Sequence, residues 1–305
     1  MEILVISLSN IGDAILTTPV IKLLKVNFSG SSISVICGER AREVFMGPHI
    51  NELYIYKKDA SLKEKIRFIQ DLRKRSYDLI VDLRHSLFPY FLKGKRRLPK
   101  IPFFPKKWKG HALEEHISVL KPLRLKIPSD FWENPFLFYI SLEDRRFASS
   151  LWEGEGISFN LGAANKMKRW PEEHFAKLGR MIVKEKKFKK IKIILSGVKE
   201  DREEGEKIKK KVGKRCLNLC GMLNLHQLAA LFERSKLVIS ADSGPMHLAA
   251  STGASVTGLF GPTDPKRYRP YGIKNQFLQA KGDYSNSSMP AILPEEVFSL
   301  VKNLS

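Results

Sequence analysis

Residues 237–265 read LVISADSGPMHLAASTGASVTGLFGPTDP and contain, in order, a strand, a tight turn, a short helix and a second strand. The run LVIS predicts a buried strand, and ASVTGLF predicts the next one. Between them, Ser243 suits a helix N-cap, Pro245 the first helical turn and Gly253 the helix end. A helix that starts at the carboxyl end of a parallel strand presents free N–H groups and a positive dipole end. The stretch therefore predicts a parallel α/β sheet with a phosphate- or diphosphate-sized anion site at the start of this helix.

A histidine accompanies this predicted anion site. His247 falls in the first turn of the helix, where its ring can add a donor to the same anion. Asp242 and Ser243 also permit a plainer interpretation, in which they only cap a structural helix. The other loops of the chain decide between these two interpretations.

Strands alternate with helices along the whole chain. In the first half, strands are predicted at residues 3–7, 32–37, 52–56 and 79–83, and helices at 14–25 and 63–75. The pattern restarts after the polar stretch 141–156, so we expect two Rossmann-like, doubly wound parallel-sheet domains that face a central cleft. We place these domains at residues 1–148 and 149–290, with a closing helix in 291–305 that packs back toward the N-terminal domain.

The charge balance predicts an anionic partner. The 305 residues include 53 Lys or Arg against 32 Asp or Glu, a formal net charge of +21, which suits nucleic acid, anionic lipid or a phosphorylated substrate. The densest basic stretch, KGKRRLPKIPFFPKKWK at residues 93–109, is interleaved with aromatic residues. Such a mixture suits a membrane interface, single-stranded nucleic acid or a solvated loop. We assign membrane or acceptor contact to its cations Lys93, Lys95, Arg96, Arg97, Lys106, Lys107 and Lys109.

Other sequence features exclude several classes of protein. Cys37, Cys216 and Cys220 form no metal-ligand spacing, so we expect reduced thiols in a cytosolic setting and no metal. The N-terminus lacks the basic segment and cleavage site of a signal peptide, and no apolar run has the length of a membrane span. The sequence contains no Walker loop and no GxGxxG fingerprint, which weakens a dinucleotide-dependent oxidoreductase.

Three loops that follow predicted strands contain the candidate chemistry. Asp13 follows the first strand and suits either a general base or a helix N-cap. Lys168 lies in a cationic loop after the first strand of the second half, which suits either cations that stabilise a departing diphosphate or a solvated basic loop. Glu200 and Asp201 follow the next strand and suit either a contact with ribose hydroxyls or the first turn of a helix.

Taken together, these loops resemble the ADP-heptose:lipopolysaccharide heptosyltransferase family, glycosyltransferase family 9, over nearly the whole chain. The matching segments are SNIGDAILTTPVIKLLK, KRWPEEHFAKL, NLCGMLNLHQLAALFERSKLVISADSGPMHLAASTG and GLFGPTDP. The resemblance implies a GT-B fold that binds the donor in its C-terminal domain and the acceptor mainly in its N-terminal domain. The chain departs from many relatives in lacking a cysteine-rich loop before the last helix.

The resemblance also implies roles for individual residues. Asp13, beside Gly12, would deprotonate the acceptor hydroxyl, and Lys168 would lie near the donor phosphates. Either Glu200 or Asp201 would contact the ribose. The remaining donor-binding positions implied are Asp242, Ser243, Gly244, Pro245 and His247, with Ala163 and Ala164 offering backbone N–H groups to the phosphates.

These implications describe an inverting, metal-independent glycosyltransferase without a cofactor. It would move a heptose from ADP-heptose to the inner core of lipopolysaccharide, a lipid A–Kdo type acceptor. We expect it in the cytoplasm, attached peripherally to the inner face of the cytoplasmic membrane. One alternative is an enzyme of the same fold that uses another nucleotide sugar or another surface glycan. The other is a basic nucleic-acid-binding protein, although no recognised nucleic-acid module is present in the sequence.

Overall fold

The computed structural model describes residues 1–98, 108–281 and 288–303. Its contacts divide the chain into two compact units, Met1–Tyr139 and Ile140–Ser305. The boundary predicted after residue 148 falls inside the helix Leu142–Ser150, which the contacts group with the second unit. This helix belongs there because it packs against the helix Leu225–Arg234 and because Arg145 binds both carboxylate oxygens of Glu233, at 2.7 and 2.9 Å.

The first unit is a parallel sheet with helices, as the alternating pattern predicts. Within residues 1–98 and 108–139, five strands pair in the order β3-β2-β1-β4-β5, all parallel. The strands are β1 Glu2–Ile6, β2 Ser32–Cys37, β3 Glu52–Ile55, β4 Tyr77–Asp82 and β5 Gly94–Leu98. The helices are α1 Ile11–Asn27, α2 Leu62–Leu72 and α3 Ala112–Ser118.

Two helices of this unit are buried to very different extents. Ten of the 17 residues of α1 are buried, on all sides of the helix, which is what an apolar helix inside a core requires. In α2, which is described throughout, only Leu72 is buried. The start of α2 is fixed locally by a capping box, in which Ser61 and Glu64 satisfy each other's backbone N–H groups. Helix α2 therefore depends on local capping more than α1 does.

The second unit repeats the design. In its described part, residues 140–281 and 288–303, six parallel strands pair in the order β11-β10-β9-β6-β7-β8. The strands are β6 Gly156–Asn160, β7 Lys192–Ser196, β8 Cys216–Asn218, β9 Leu237–Ala241, β10 Val256–Phe260 and β11 Gln276–Gln279. The helices are α4 Leu142–Ser150, α5 Glu172–Lys184, α6 Arg202–Val212, α7 Leu225–Arg234, α8 Gly244–Ser251, α9 Pro265–Tyr268 and α10 Pro294–Lys302.

The core of the second unit connects the loop after β6 to the segment just before the last helix. Trp170 is buried and its indole N–H donates to the carbonyl oxygen of Ile292 at 2.9 Å. Helix α10 packs against α5. These contacts place α10 within the second unit, and its predicted return toward the N-terminal domain stays a prediction.

The three cysteines are free and buried, in agreement with the expectation of reduced thiols. Burial raises the pKa of the Cys37, Cys216 and Cys220 thiols to about 12. Thiols with such a pKa stay protonated near neutrality and are poor nucleophiles. The cysteines therefore act as small apolar core residues.

Candidate functional site

Each sheet has one place where the chain reverses its direction of winding. In the first unit β1 and β4 are neighbours, and in the second unit β6 and β9 are neighbours, although neither pair is consecutive in the chain. At such a switch point the loops leave the sheet toward opposite sides, and a crevice opens at the carboxyl ends of the two strands. Ligands of open α/β sheets bind there, so these loops are where the site residues should lie.

An ion pair spans the switch point of the second unit. The Nζ atom of Lys168 lies 2.6 Å from Oδ2 of Asp242, which joins the loop after β6 to the loop after β9. Asp242 is almost fully buried, and the side chain of Lys168 is about a quarter exposed. Because Asp242 is held inside the fold, its carboxylate fixes where the ammonium group sits. Two residues predicted for the donor site, 74 positions apart, are therefore in direct contact.

Helix α8 begins beside this pair and has the geometry of an anion site. Ser243 occupies the N-cap position in an extended conformation, as predicted, and Gly253 ends the segment with a φ of +81°. The prediction that the Ser243 side chain caps the helix is wrong, because its hydroxyl donates to the carbonyl oxygen of Ala241 at 3.1 Å. The first-turn N–H groups are thus not occupied by this hydroxyl. Gly244 and Pro245 form the first turn, and His247 is buried on the same helix.

The ends of β6 and β9 are locked together by polar side chains. The amide Nδ2 of Asn160, at the end of β6, donates to the carbonyl oxygen of Gly162 at 2.9 Å and to Oγ of Ser240 at 3.3 Å. Asn160 and Ser240 are buried, so these bonds are shielded from water. The loop that follows β6 therefore leaves the sheet in a fixed direction before it reaches Ala163, which is half-buried, and Ala164, which is exposed.

A second charge cluster shows that Asp201 and Glu200, the two residues predicted as alternatives for binding the ribose, have different surroundings. The guanidinium of Arg169 donates through Nη2 to Asp201 at 2.6 Å and to Glu204 at 2.7 Å. Asp201 is buried and also accepts the N–H of Val198 at 2.9 Å. A Cβ atom added at Gly162 or Gly197 would lie 2.6 Å from its Oδ2. Asp201 is therefore enclosed on several sides and serves as an anchor for these loops.

Glu200 has the opposite surroundings. It is exposed, and it borders an open pocket of about 450 Å³. The residues around this pocket are Arg169, Trp170, Pro171, Glu172, Glu200, Glu203, Glu204 and Lys207. Of the two carboxylates that sequence reasoning left open, Glu200 is the one whose oxygens are accessible to a ligand.

The same cluster changes the acidity of its members. Partial burial lowers the pKa of Arg169, but the hydrogen bond and charge of Asp201 outweigh this and raise it above the usual value. Burial raises the pKa of the Glu204 carboxyl, against the opposing charge of Arg169. Sequence reasoning gave Arg169 no role of its own, although its place one residue after Lys168 and the acids at 201 and 204 were a visible signal.

In the first unit, Asp13 lies in the first turn of α1, just after β1. Its Oδ2 accepts a hydrogen bond from Nδ2 of Asn10 at 3.1 Å, and its side chain is partly exposed, as is Gly12. Asn10 holds the N-cap position without a capping side-chain bond, so its amide is used to orient the carboxylate. A carboxylate near the switch point, held by one partner and open to water, can accept a proton from a ligand.

Sequence reasoning gave no role to a second aspartate at this switch point. Asp82 is the last residue of β4 and is buried. Its carboxylate accepts the N–H of Arg84 at 2.9 Å and both the N–H and hydroxyl of Ser86, at 2.6 and 2.8 Å. Between these donors His85 has a left-handed backbone, with a φ of +53°. Asp82 therefore shapes the loop after β4, and the polar residues that follow the strand were the signal for it.

Part of the basic stretch forms a strand, which the sequence analysis did not predict, and is not a solvated loop. Gly94–Leu98 is the edge strand β5, and Arg97 donates to three backbone carbonyl oxygens, those of Pro89, Gly94 and Leu92. Lys95 pairs with Asp78 at 2.7 Å, and Arg96 donates to the carbonyl oxygen of Pro122. Lys93 and Lys109 are exposed, and the predicted contacts Lys106 and Lys107 lie outside the described residues. Three of these cations thus have partners within the fold, and Lys95 stays 77% exposed beside Asp78.

The described parts of the chain contain neither a metal-binding cluster nor a membrane-spanning helix. Residues 1–98, 108–281 and 288–303 contain no group of three His, Cys, Asp or Glu side chains placed to hold a metal ion. Over the same residues, no helix combines the length and the apolar character needed to cross a membrane.

Known proteins resemble the chain over nearly its whole length. The profile of glycosyltransferase family 9 (heptosyltransferase) matches residues 65–291. The lipooligosaccharide heptosyltransferase 2 of Haemophilus influenzae is 26% identical, over 92% of this chain and 88% of that protein. The glycosyl transferase family 9 structure from Veillonella parvula superposes with a TM-score of 0.85 at 25% identity, over 99% of this chain and 96% of that one. The Escherichia coli ADP-heptose LPS heptosyltransferase II gives a TM-score of 0.81 at 23% identity, over 100% and 98% of the two chains.

These similarities confirm the predicted fold class and the predicted kind of protein. Two α/β units, each with a doubly wound parallel sheet, match the GT-B architecture of the solved heptosyltransferases. The profile covers well over half of the chain, including the ion pair at the second switch point. The chain belongs to glycosyltransferase family 9, the heptosyltransferases, and is a glycosyltransferase enzyme.

Proposed function

We propose that this glycosyltransferase transfers a heptose from ADP-heptose to the inner core of lipopolysaccharide, with inversion at the anomeric carbon. The observation that carries the proposal is the Lys168–Asp242 pair at the second switch point, beside the start of α8. The names of the Haemophilus and Escherichia relatives support both the sugar and the class of acceptor.

The donor diphosphate fits the second unit on electrostatic grounds. An ammonium group has three N–H donors, so Lys168 can keep Asp242 and still donate to phosphate oxygens. The α8 N-terminus adds the positive end of a helix dipole and the backbone N–H of Gly244, since Pro245 has no N–H and that of Met246 donates to the carbonyl oxygen of Ser243 at 3.1 Å. Since Asp242 carries a charge that repels phosphate, its use is to hold Lys168 and to accept hydrogen bonds from sugar hydroxyls. The exposed Glu200 then binds the ribose.

The transfer itself is a single displacement. The acceptor hydroxyl oxygen attacks the anomeric carbon, Asp13 takes the hydroxyl proton, and the bond between the anomeric carbon and the diphosphate oxygen breaks. The electron pair of that bond leaves with ADP, whose growing charge Lys168 and the α8 N-terminus stabilise. Attack on the face opposite to the leaving group inverts the configuration. Each group acts without a metal or a cofactor in this scheme.

The acceptor explains the basic character of the chain. An inner-core glycolipid carries anionic groups at a membrane surface, and a net charge of +21 attracts both. We place the enzyme at the inner face of the cytoplasmic membrane, where nucleotide sugars are available. This attachment is peripheral in the proposal.

A thermal-shift comparison of nucleotide sugars tests the donor. A ligand at one hundred times its Kd stabilises the folded state by about 2.7 kcal/mol, so ADP-heptose should raise the melting midpoint clearly. UDP- and GDP-sugars at the same concentration should raise it less. A larger shift with a UDP- or GDP-sugar would assign the chain to another donor.

Product analysis tests the reaction. The purified enzyme is incubated with ADP-heptose and a heptose-free lipid A–Kdo acceptor, and the new linkage is examined by NMR. The proposal expects ADP release matched by glycolipid product with an anomeric configuration opposite to that of the donor. Product with the donor's configuration would exclude the single displacement.

A further inference from the structure

One face of the first unit's sheet has a thin outer layer. Its core residues are Leu4, Ile6, Ile36, Leu72, Tyr77, Ile80 and Leu92, with Tyr54, Tyr56, Phe68, Ile69 and Phe88 packed against them. The rings of Tyr56, Phe68 and Phe88 contact each other, with centroids 5.8 to 6.1 Å apart. Phe68 belongs to α2, and Phe88 begins the short 3₁₀ turn Phe88–Phe91. Helix α2 and this turn therefore cover the same core side by side.

Several apolar side chains of this layer are exposed among its charged residues. The exposed fractions are 75% for Leu62 and 47% for Ile66 on α2, and 55%, 49% and 55% for Leu87, Tyr90 and Phe91 at the turn. We call these five residues the exposed apolar group. Leu62 and Ile66 are four residues apart and so lie together on one side of the helix. Single exposed apolar residues are ordinary, but five on two elements of one layer form a surface that water solvates poorly.

The surrounding charge shows what this surface fits. Residues 57–75, which include α2, have eight Lys or Arg against three Asp or Glu. Residues 84–97, which include the turn, have five Lys or Arg and no acid. Apolar and aromatic side chains within a field of cations match a bilayer interface, where rings and aliphatic chains enter the headgroup region and cations meet lipid phosphates.

We propose that the exposed apolar group is the membrane-docking surface of this enzyme and that its occupant is a bilayer of anionic lipid. The inference deepens the proposed function, since it rests on an acceptor that is a membrane glycolipid. It also relocates the contact: the sequence points to the cations of residues 93–109, whereas the structure points to α2 and the turn, where the Arg97 guanidinium lies 6.0 Å from the centroid of the Tyr90 ring.

Vesicle flotation with the full-length protein tests the apolar part. The vesicles are phosphatidylcholine alone or phosphatidylcholine mixed with phosphatidylglycerol. The double variant Leu62→Ser/Ile66→Ser and the single variant Phe91→Ser are compared with the parent. Because these side chains are exposed, the fold should survive, which far-UV circular dichroism checks. We expect at least a tenfold loss of partitioning onto the anionic vesicles for the double variant and a smaller loss for Phe91→Ser.

A matched control removes an exposed apolar side chain elsewhere. Ile273 in the second unit is 87% exposed, and Ile273→Ser should partition like the parent. A second pair tests the charge: Lys63→Gln/Arg67→Gln should weaken binding to anionic vesicles and reduce its sensitivity to salt. Binding that is equal with and without phosphatidylglycerol would overturn the choice of an anionic surface.

Two further outcomes would overturn the proposal outright. One is unchanged partitioning of the Leu62→Ser/Ile66→Ser variant. The other is self-association of the parent, seen by sedimentation, that these substitutions abolish while vesicle binding stays the same, because the occupant would then be a second copy. The thermal shift with ADP-heptose tests the proposed function separately, because it does not involve vesicles. The docking variants should keep the full shift, and its absence in the parent would count against the proposed donor and not against the docking surface.

Discussion

The two switch points have the same topology, but the buried aspartate at each one has a different kind of partner. In both sheets an aspartate lies at the carboxyl end of the second strand of the pair: Asp82 is the last residue of β4, and Asp242 follows β9. The Asp82 carboxylate accepts hydrogen bonds from three donors of its own loop. The Asp242 carboxylate instead binds the ammonium group of Lys168, which belongs to a different loop. The first arrangement fixes a backbone, and the second fixes a cation.

The loops after the first strand of each pair also differ, because one presents an accessible carboxylate and the other a cation held in place. In the first unit this loop leads into Asp13, a partly exposed carboxylate with one hydrogen bond from Asn10. In the second unit it presents Lys168, held by a nearly buried partner. A proton acceptor has to meet an incoming hydroxyl, so accessibility serves it. A cation that stabilises a leaving group acts best when it is already in place. In the proposed function, one fold used twice thus offers a base site and an anion site.

The largest expected effect comes from the base. Asp13→Asn keeps the size and the Asn10 contact but removes the proton acceptor, so turnover should fall ~10²–10⁴-fold. ADP-heptose binding, measured by thermal shift, should stay near the parent value. The change is measured as ADP release with saturating donor and acceptor.

A matched carboxylate controls for this change. Asp71 is exposed and pairs with Lys74, and Asp71→Asn should leave turnover unchanged. Full turnover of Asp13→Asn would remove Asp13 as the base and leave the first switch point without an assigned reaction step.

The next effect comes from the cation of the second switch point. Lys168→Ala removes one fixed donor from the leaving group, and losses of about 10²–10³ in kcat are usual for such a donor. It also leaves the Asp242 charge unbalanced beside the donor phosphates, so donor affinity should fall as well. Lys166, exposed in the same short turn, supplies the control Lys166→Ala, which should behave like the parent. Equal kinetics for the two variants would place the diphosphate elsewhere.

How much of the fold and of the candidate site can be predicted from the sequence depends on how far apart in the chain the interacting residues are. Most strands, the α8 start and the cationic loop follow from local patterns, and residues 237–260 have the predicted order of strand, helix and strand, although the Ser243 side chain does not cap the helix. The roles of Asp201 and Arg169 do not, since they depend on partners that the fold brings together across 32 residues. The partners of Asp82 are local, so its role could have been found from the polar residues that follow β4. The strand β5 was missed because a run of cations hides an edge strand whose Arg97 turns back onto carbonyl groups.

The smallest expected effect tests the comparison of the two aspartates directly. Asp82→Asn replaces an acceptor of three hydrogen bonds by an amide whose NH₂ faces N–H donors, so the free energy of unfolding should fall by about 1–3 kcal/mol. ADP affinity should not change. Asp242→Asn removes a negative charge 2.6 Å from Lys168, so ADP should bind as tightly as before or more tightly, while turnover with ADP-heptose falls. Urea unfolding and ADP titration of both variants give the four numbers. Unchanged stability of Asp82→Asn would contradict the assignment of Asp82 to the backbone, and unchanged turnover of Asp242→Asn, measured as ADP release, would contradict the assignment of Asp242 to the cation.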